Sequence, residues 1–178
     1  LHLRSQAFAS FGIDVVFDIG ANTGQFGQEL RDCGYTGRII SFEPLSSAHA
    51  QLSQAARNDP AWTVAPRSAV GDQVGTIEIN ISGNSVSSSI LPMKDLHTSA
   101  SATSAYRGRE ETAITTVDAV AGDYLRESDT LLLKIDTQGF EWQVLDGAAA
   151  TLKRTKAVLC ELSLVPLYEG QRLWGDLM

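Results

Sequence analysis

Short apolar segments alternate with segments of helical periodicity along the chain. The apolar segments predict strands at 14–19, 37–42, 62–65, 76–81, 112–115, 130–136 and 156–162, of which 76–81 has the period of a hairpin strand. Helical spacing predicts helices at 25–33, 46–57 (with Ser46 as N-cap), 117–121 and 140–152, and a last helix from Pro166. Such alternation is typical of an α/β fold, so we expect a central, mostly parallel sheet with helices on both faces.

The length of 178 residues fits a single domain, 1–178, in which the Ser-, Gly- and Ala-rich stretch at 82–104 predicts a long loop or lid. The net charge of −7 argues against nucleic acid as a partner. No apolar run approaches the roughly 20 residues of a membrane-spanning helix, so no integral membrane segment is expected. Cys33 and Cys160 lie far apart and outside metal-binding spacing, which predicts reduced thiols, no metal and a cytoplasmic location.

Acidic residues stand at the ends of three predicted strands. Asp18 lies near the end of the first strand, Glu43 follows the second and Asp136 ends the Leu-rich strand at 130–136. The carboxyl ends of parallel strands meet at one edge of a sheet, so these acids are expected to line one crevice. Gly20 and Gly24, which follow Asp18, allow a tight turn and close approach of a ligand.

The acid ahead of the glycines bears on the nature of that ligand. A dinucleotide places its pyrophosphate at such a turn, where Asp18 would repel it. S-adenosylmethionine has an amino-acid tail, a cationic sulfonium and no phosphate, and Glu43 can accept hydrogen bonds from its ribose, as an acid does in NAD proteins. An NAD(P)-dependent Rossmann oxidoreductase is an alternative, although none of the 4 tyrosines precedes a lysine at the Tyr-x-x-x-Lys spacing.

Several motifs taken together resemble one known family. The segments VFDIGANTG at 16–24, FEP at 42–44 and LKIDTQGFE at 133–141, with AVGD at 69–72 and VLDGA at 144–148, are similar to the FkbM family of S-adenosylmethionine-dependent methyltransferases. The resemblance implies a Rossmann-like class I methyltransferase fold. It also implies O-methylation of a hydroxyl on a sugar of a glycolipid or polysaccharide, or on a polyketide-type product, with a small-molecule or glycolipid acceptor.

The family pattern also implies a cofactor site. The residues implied for the methionine end are Asp18, Gly20, Asn22 and Gly24, those for the ribose are Glu43 and Pro44, and those beside the adenine are Ser68, Ala69 and Val70. The chain departs from the pattern at Gln138, where the family often has Glu, which weakens a role for this side chain as base or metal ligand. It also ends before the antiparallel strands that complete the sheet, so we expect a truncated C-terminus. An inactive cofactor-binding fragment is therefore a second alternative.

An alcohol must lose its proton during methyl transfer, which calls for a base near the crevice. Asp136 is the first candidate because it ends a strand there, followed by Glu141 in the first turn of the next helix and His97 in the long loop. Lys134 can orient the carboxylates or the substrate. Each also has a structural interpretation. Asp136 can be a helix cap and Glu141 an acid that complements the helix dipole. His97 can be a plain surface residue, and Lys134 can be the partner of an acid in an ion pair.

Overall fold

The computed structural model describes residue 8 and residues 10–82, 88–92 and 106–177. In this part of the chain the strands are Val15–Ile19 (β1), Arg38–Phe42 (β2), Trp62–Val64 (β3), Ser68–Val70 (β4), Gly75–Ser82 (β5), Tyr106–Thr115 (β6), Leu131–Ile135 (β7) and Thr155–Cys160 (β8). The helices are Gln25–Asp32 (α1), Ser46–Ala56 (α2), Val117–Tyr124 (α3), Glu141–Asp146 (α4) and Trp174–Leu177 (α5), with a 3₁₀ turn at Thr151–Arg154.

The central sheet has five strands, all parallel, in the order β3-β2-β1-β7-β8. Strands β1 and β7 are buried along their whole length, and their sequences VVFDI and LLLKI are the near-continuous apolar runs of strands covered on both faces. The chain leaves β1 toward β2 on one side and returns through β7 on the other. Such a switch in strand order opens a crevice at the carboxyl edge, and the arrangement confirms the predicted Rossmann-like α/β fold.

Alternate residues of β1 face opposite layers of the molecule. Phe17 packs in a core cluster with Val144 of α4, whereas Val16 packs with Leu30 of α1 and Leu52 of α2. Helices therefore cover both faces of the sheet, as the alternation of elements predicts. Burial of each aliphatic side chain stabilises the fold by roughly 1.5–3 kcal/mol, so a well-packed core holds the ends of the strands in place.

A smaller sheet of β4, β6 and β5, in that order, flanks the carboxyl edge of the central one. Strands β5 and β6 are antiparallel, which agrees with the hairpin predicted at 76–81, but β6 begins at Tyr106, earlier than the expected start at 112. Ile79 and Ile114 of this sheet pack against Leu45 and Phe140 of the central layers. The smaller sheet therefore forms one wall beside the crevice.

The helix predicted at 140–152 is shorter than its apolar spacing indicates. Helix α4 ends at Asp146, and Gly147 is its C-cap. A Cβ at Gly147 would lie 1.9 Å from the carbonyl oxygen of Gly71, so the close approach of the two segments requires glycine there. The Asp118 carboxylate then accepts hydrogen bonds from the Thr151 backbone nitrogen at 2.7 Å and hydroxyl at 2.6 Å. These bonds begin a separate 3₁₀ turn instead of a continuous helix.

The prediction of a helix opening at Pro166 is wrong. Residues 161–173 are irregular, and the helix in this region is the short α5. Tyr168 is buried, with 1% of its surface exposed, and its backbone nitrogen donates to Gln171 Oε1 at 3.2 Å. A turn closed by a side chain and anchored by a buried ring therefore replaces the helix.

The prediction of Ser46 as N-cap is wrong by one residue. Leu45 holds the capping position of α2, and Ser46 is its first residue. The Ser46 hydroxyl and backbone nitrogen donate instead to the Glu110 carboxylate on β6. The start of α2 is thereby tied to the smaller sheet.

The predicted long loop at 82–104 is described only in part. Ser82 still belongs to β5, and Ser89 forms an isolated antiparallel bridge with Asn80. Residues 83–87 and 93–105, with the candidate base His97 among them, lie outside the described residues. Among the helices that are described, none is long and apolar enough to cross a bilayer.

Candidate active site

A cavity of about 760 Å³ lies at the carboxyl edge of the central sheet. Its volume falls within the range typical of small-molecule and cofactor sites. The turns after β1, β2, β7 and β8 line it, together with β4 and residues 88–90. Of the three acids predicted to share one crevice, Glu43 and Asp136 line the cavity, at the place that the topology favours, whereas Asp18 is not among the lining residues.

The turn between β1 and α1 forms one side of the cavity. Gly20, Asn22 and Gly24 have φ angles of 75°, 48° and 95°, in the left-handed region that glycine, and occasionally asparagine, adopts. A Cβ at Gly20 would lie 1.9 Å from the carbonyl oxygen of Asp136. Glycine is therefore required for the turns after β1 and β7 to touch. Gly20 and Asn22 line the cavity, whereas Gly24 faces Leu52 and Trp62 in the core.

Glu43 faces the same cavity from the end of β2, with Pro44 beside it. Its carboxylate accepts hydrogen bonds from the backbone nitrogens of Asn22 at 2.8 Å and Leu45 at 2.9 Å. Only 5% of the residue is exposed, and this burial raises the pKa of Glu43 to about 7, although the two N–H donors lower it. Each carboxylate oxygen accepts more than one hydrogen bond, so Glu43 can still bind hydroxyl donors in the cavity.

Asp18 lies beneath the cavity lining in an ion pair with Lys134. The two residues are register partners on β1 and β7, and Lys134 Nζ is 2.9 Å from Asp18 Oδ1. The same ammonium donates to the Gly20 carbonyl oxygen at 3.1 Å and lies 3.7 Å from Asp136 Oδ2. Asp18 is fully buried, and the Ser41 hydroxyl donates to its other oxygen at 3.3 Å. The carboxylate thus positions the turn through Lys134, and direct contact with a cofactor stays a prediction.

Lys134 is held in its charged form. Burial alone lowers its pKa, but Asp18 and Asp136 outweigh this effect and raise the pKa above its ordinary value. A lysine that retains its proton cannot accept another from a substrate. Of the roles expected for Lys134, orientation of the carboxylates is therefore the one that fits the geometry.

Asp136 stands at the mouth of the cavity, with its backbone nitrogen bonded to the Ile19 carbonyl at 3.0 Å. The Gln138 side-chain nitrogen donates to Asp136 Oδ1 at 2.8 Å and to Glu161 Oε2 at 3.2 Å. Gln138 has a φ of 55°, and the Ser89 hydroxyl donates to its carbonyl at 2.6 Å. Glu161, which follows β8, also lines the cavity, so two acids face any molecule bound there.

Glu141 does not point into the cavity. Its carboxylate accepts hydrogen bonds from the backbone nitrogens of Thr137 and Gly139, each at 3.0 Å, and from the Thr137 hydroxyl at 3.2 Å. Burial raises its pKa, while these donors lower it. Glu141 therefore closes the turn that follows Asp136, and the geometry supports a structural role for this acid. Its candidacy as base has no support from this placement.

The smaller sheet and the segment 88–92 complete the walls. Ser68, Ala69 and Val70, which are predicted to lie beside the adenine, line the cavity. Ser89 and Ile90 line it as well, and the Tyr106 hydroxyl fixes their segment by donating to the Leu91 carbonyl at 2.7 Å. Cys160 also contacts the cavity, but burial raises the pKa of its thiol to about 12, so it is neutral there.

Most of the predicted site residues meet at one cavity, and three residues at or beside that cavity were not predicted. The lining contains Gly20, Asn22, Glu43, Pro44, Ser68, Ala69, Val70, Lys134 and Asp136. The missed ones are Glu161, Ser89 and Tyr168, whose hydroxyl donates to Gln138 Oε1 at 3.2 Å. Glu161 carried a usable signal, an acid near the end of the last predicted strand. The other two lie in segments without periodicity.

The fold belongs to the Rossmann-like α/β class. Its marks are a parallel sheet with a switch in strand order, a glycine turn after β1 and an acid after β2. The family model of the methyltransferase FkbM domain matches residues 18–178, so the chain belongs to the FkbM methyltransferase family. No curated protein and no solved structure matches the chain. The chain is thus a methyltransferase, as the motifs predict, and the oxidoreductase alternative is set aside.

Proposed function

We propose that this methyltransferase transfers a methyl group from S-adenosylmethionine to a hydroxyl oxygen, on a sugar of a glycolipid or polysaccharide or on a polyketide-type product. The observation that carries the proposal is the position of Glu43, buried beside the glycine turn and facing the cavity. An acid at the end of the second strand accepts hydrogen bonds from ribose hydroxyls in this fold class. Gly20 and Asn22 would hold the methionine end, and Ser68–Val70 the adenine.

The charges of the described lining favour a cationic donor over a dinucleotide. Glu29, Glu43, Asp136 and Glu161 line the cavity with Lys134, whose ammonium is already paired with Asp18. A sulfonium and an ammonium are attracted by this field, whereas a pyrophosphate is repelled. The residues present therefore fit S-adenosylmethionine better than they fit NAD.

The contribution of the chain to catalysis is mainly positioning. S-adenosylmethionine supplies a methyl group already activated by its positive sulfur. The turns at Gly20 and Asp136, which touch each other, hold the two halves of the site at a fixed separation. Alignment of two reactants can lower a barrier by roughly 7–11 kcal/mol, so a rigid cavity supplies much of the acceleration.

The acceptor is proposed to be neutral where it reacts. The carboxylates of the lining disfavour a phosphate or carboxylate on the acceptor, for the same reason that they disfavour a pyrophosphate. A sugar or polyketide hydroxyl meets this condition. A cytoplasmic location, which the reduced cysteines favour, belongs to the same proposal.

Calorimetric titration of the purified chain with S-adenosylmethionine, S-adenosylhomocysteine and NAD tests the donor. We expect both sulfur compounds to bind and NAD to give no heat. Glu43→Ala should weaken S-adenosylmethionine at least tenfold, since one hydrogen bond to a charged group contributes roughly 1.5–3 kcal/mol. Glu127→Ala, at an exposed acid outside the cavity lining, is the matched control. Binding of NAD alone, or equal affinity in both variants, would contradict the proposal.

A screen of neutral p-nitrophenyl glycosides with tritiated methyl donor then tests the acceptor. Transfer of label to oxygen, located by mass spectrometry and alkaline stability, is the expected result. Label found only on nitrogen or sulfur of amine- or thiol-bearing analogues would refute O-methylation while leaving the methyltransferase class intact.

A further inference from the structure

Two carboxyl groups meet at the cavity mouth, where the neighbouring strands β7 and β8 end. Asp136 follows β7, Glu161 follows β8, and both line the cavity. The Gln138 side-chain nitrogen donates to both of them, at 2.8 Å and 3.2 Å. One amide therefore holds both acids together at the place where an acceptor enters.

Two carboxyl groups that accept hydrogen bonds from one nitrogen atom lie close together, and repulsion between like charges favours retention of one proton by the pair. The Tyr168 hydroxyl donates to Gln138 Oε1 at 3.2 Å, which turns the amide nitrogen toward the acids. The interaction with the neighbouring Asp136 carboxyl, burial and the adjacent carboxylates raise the pKa of Glu161 to about 7. A base works best when its pKa lies near the operating pH.

The two acids differ in their neighbours. Asp136 has a cation close to it, because Lys134 Nζ lies 3.7 Å from Asp136 Oδ2. Glu161 is the more exposed of the two and borders the open side of the cavity. The shared proton therefore resides mainly on Glu161, and Glu161 is the acid that exchanges it.

We propose that Asp136 and Glu161 act as one proton-sharing pair and that Glu161 is the base that accepts the proton of the acceptor hydroxyl. The inference rests on the proposed function, methyl transfer to oxygen. It adds a catalytic residue and changes the role of Asp136, which becomes a positioning residue for Glu161. Gln138 maintains the pair through its amide.

The step balances without a further reactant. The hydroxyl oxygen attacks the methyl carbon, and an O–C bond forms as the C–S bond breaks. The electron pair of the broken bond stays on sulfur, which becomes a neutral thioether. The step starts from the pair that has already lost its proton to solvent, so Glu161 is a carboxylate. The hydroxyl proton passes to this carboxylate, the pair then holds one proton, and solvent accepts that proton before the next turnover.

The pH dependence follows from the groups around Glu161. In the described part of the chain, the titratable groups that face it are Asp136, Lys134, Glu141, Cys160 and Tyr168. Burial raises the pKa of both Cys160 and Tyr168, so these stay neutral, and the raised pKa of Lys134 keeps it charged. Glu141 is engaged in its own turn. The unprotonated, active form of Glu161 therefore increases with pH through about 7.

Carboxyl titration by carbon-13 NMR of the whole chain tests the pair without any substrate. The Glu161 signal, assigned by its loss in Glu161→Gln, should titrate near pH 7 in the wild type. Asp136→Asn should move the midpoint toward roughly 4.3, the ordinary glutamate value. Glu127→Gln is the matched control and should leave the midpoint unchanged. A wild-type midpoint near the ordinary value would overturn the inference.

Turnover of the glycoside identified in the acceptor screen tests the catalytic role. Glu161→Gln should lower kcat by roughly 100- to 10,000-fold, with the calorimetric Kd for S-adenosylmethionine within twofold of wild type. Asp136→Asn should shift the midpoint of the rate–pH profile to lower pH, which a merely structural residue would not do. A kcat within threefold of wild type in Glu161→Gln would overturn the inference. Absence of S-adenosylmethionine binding in the wild type would instead overturn the proposed function.

Discussion

Replacement of Lys134 by methionine removes the cation from a fully buried carboxylate. Methionine fills a similar space without charge. Asp18 would remain buried and charged, and its hydrogen-bond donor among the described residues would be the Ser41 hydroxyl, 3.3 Å away. Loss of one partner of a buried ion pair costs about 3–5 kcal/mol. For a chain of this length, about 2–4 °C in Tm accompanies each kcal/mol. We therefore expect Lys134→Met to lower Tm by roughly 6–20 °C.

Urea unfolding followed by circular dichroism at pH 7 measures this effect. The double variant Asp18→Asn/Lys134→Met contains neither buried charge and should regain at least half of the lost free energy, since two neutral groups need no counter-ion. Arg109→Met breaks the exposed pair with Glu78, whose side chains are 67% and 58% exposed, and should cost at most about 1 kcal/mol. A Lys134→Met variant as stable as Arg109→Met, or a double variant no more stable than Lys134→Met, would refute the reasoning.

Three further predictions concern the site. Gly20→Ala should lower S-adenosylmethionine affinity at least tenfold by calorimetry, because its Cβ would lie 1.9 Å from the Asp136 carbonyl oxygen, whereas Gly34→Ala has nothing within 4 Å of its Cβ and should retain affinity. Burial raises the pKa of Glu43 to about 7, so the folded chain binds a proton at Glu43 more tightly than the unfolded chain does. The stability gained in this way is complete below about pH 4.5 and is lost as the pH rises through 7. Glu43→Gln should therefore reduce the fall in urea midpoint between pH 5 and pH 8, and an unchanged fall would count against it. A glycoside phosphate should be methylated at least tenfold more slowly, in kcat/KM, than its neutral parent, and equal rates would disprove repulsion by the acidic lining.

The sequence predicts the elements of the central sheet well because their signals are local. The predicted and observed β7 differ by one residue at each end, since a run of buried apolar residues marks a covered strand wherever its neighbours lie. Glu43 and Asp136 reach the cavity because the carboxyl ends of parallel strands must share an edge. The topology alone therefore predicts this part of the site.

Features that depend on register between distant strands could not be predicted. The ion pair of Asp18 with Lys134 exists because β1 and β7 pair in one particular register, which packing sets. Glu161 fell inside the predicted strand 156–162, yet β8 ends at Cys160, and that one boundary places the acid at the cavity mouth. Tyr168 lies in an irregular turn, held by its buried ring and by a hydrogen bond to Gln171, so no periodicity in the sequence reveals it.

The order of strands in the sheet has a consequence for the chain during its synthesis. Lys134 follows Gly20 by 114 residues, so at ribosomal rates of roughly 5–20 residues per second β1 waits about 6–23 s for β7. Until then β1 is an apolar edge strand beside β2, able to pair with the wrong chain. Asp18 still lacks its counter-ion and is an unneutralised charge on that edge. Because a charged side chain on an exposed edge disfavours pairing with another chain, we expect Asp18 to reduce aggregation until Lys134 has been synthesised.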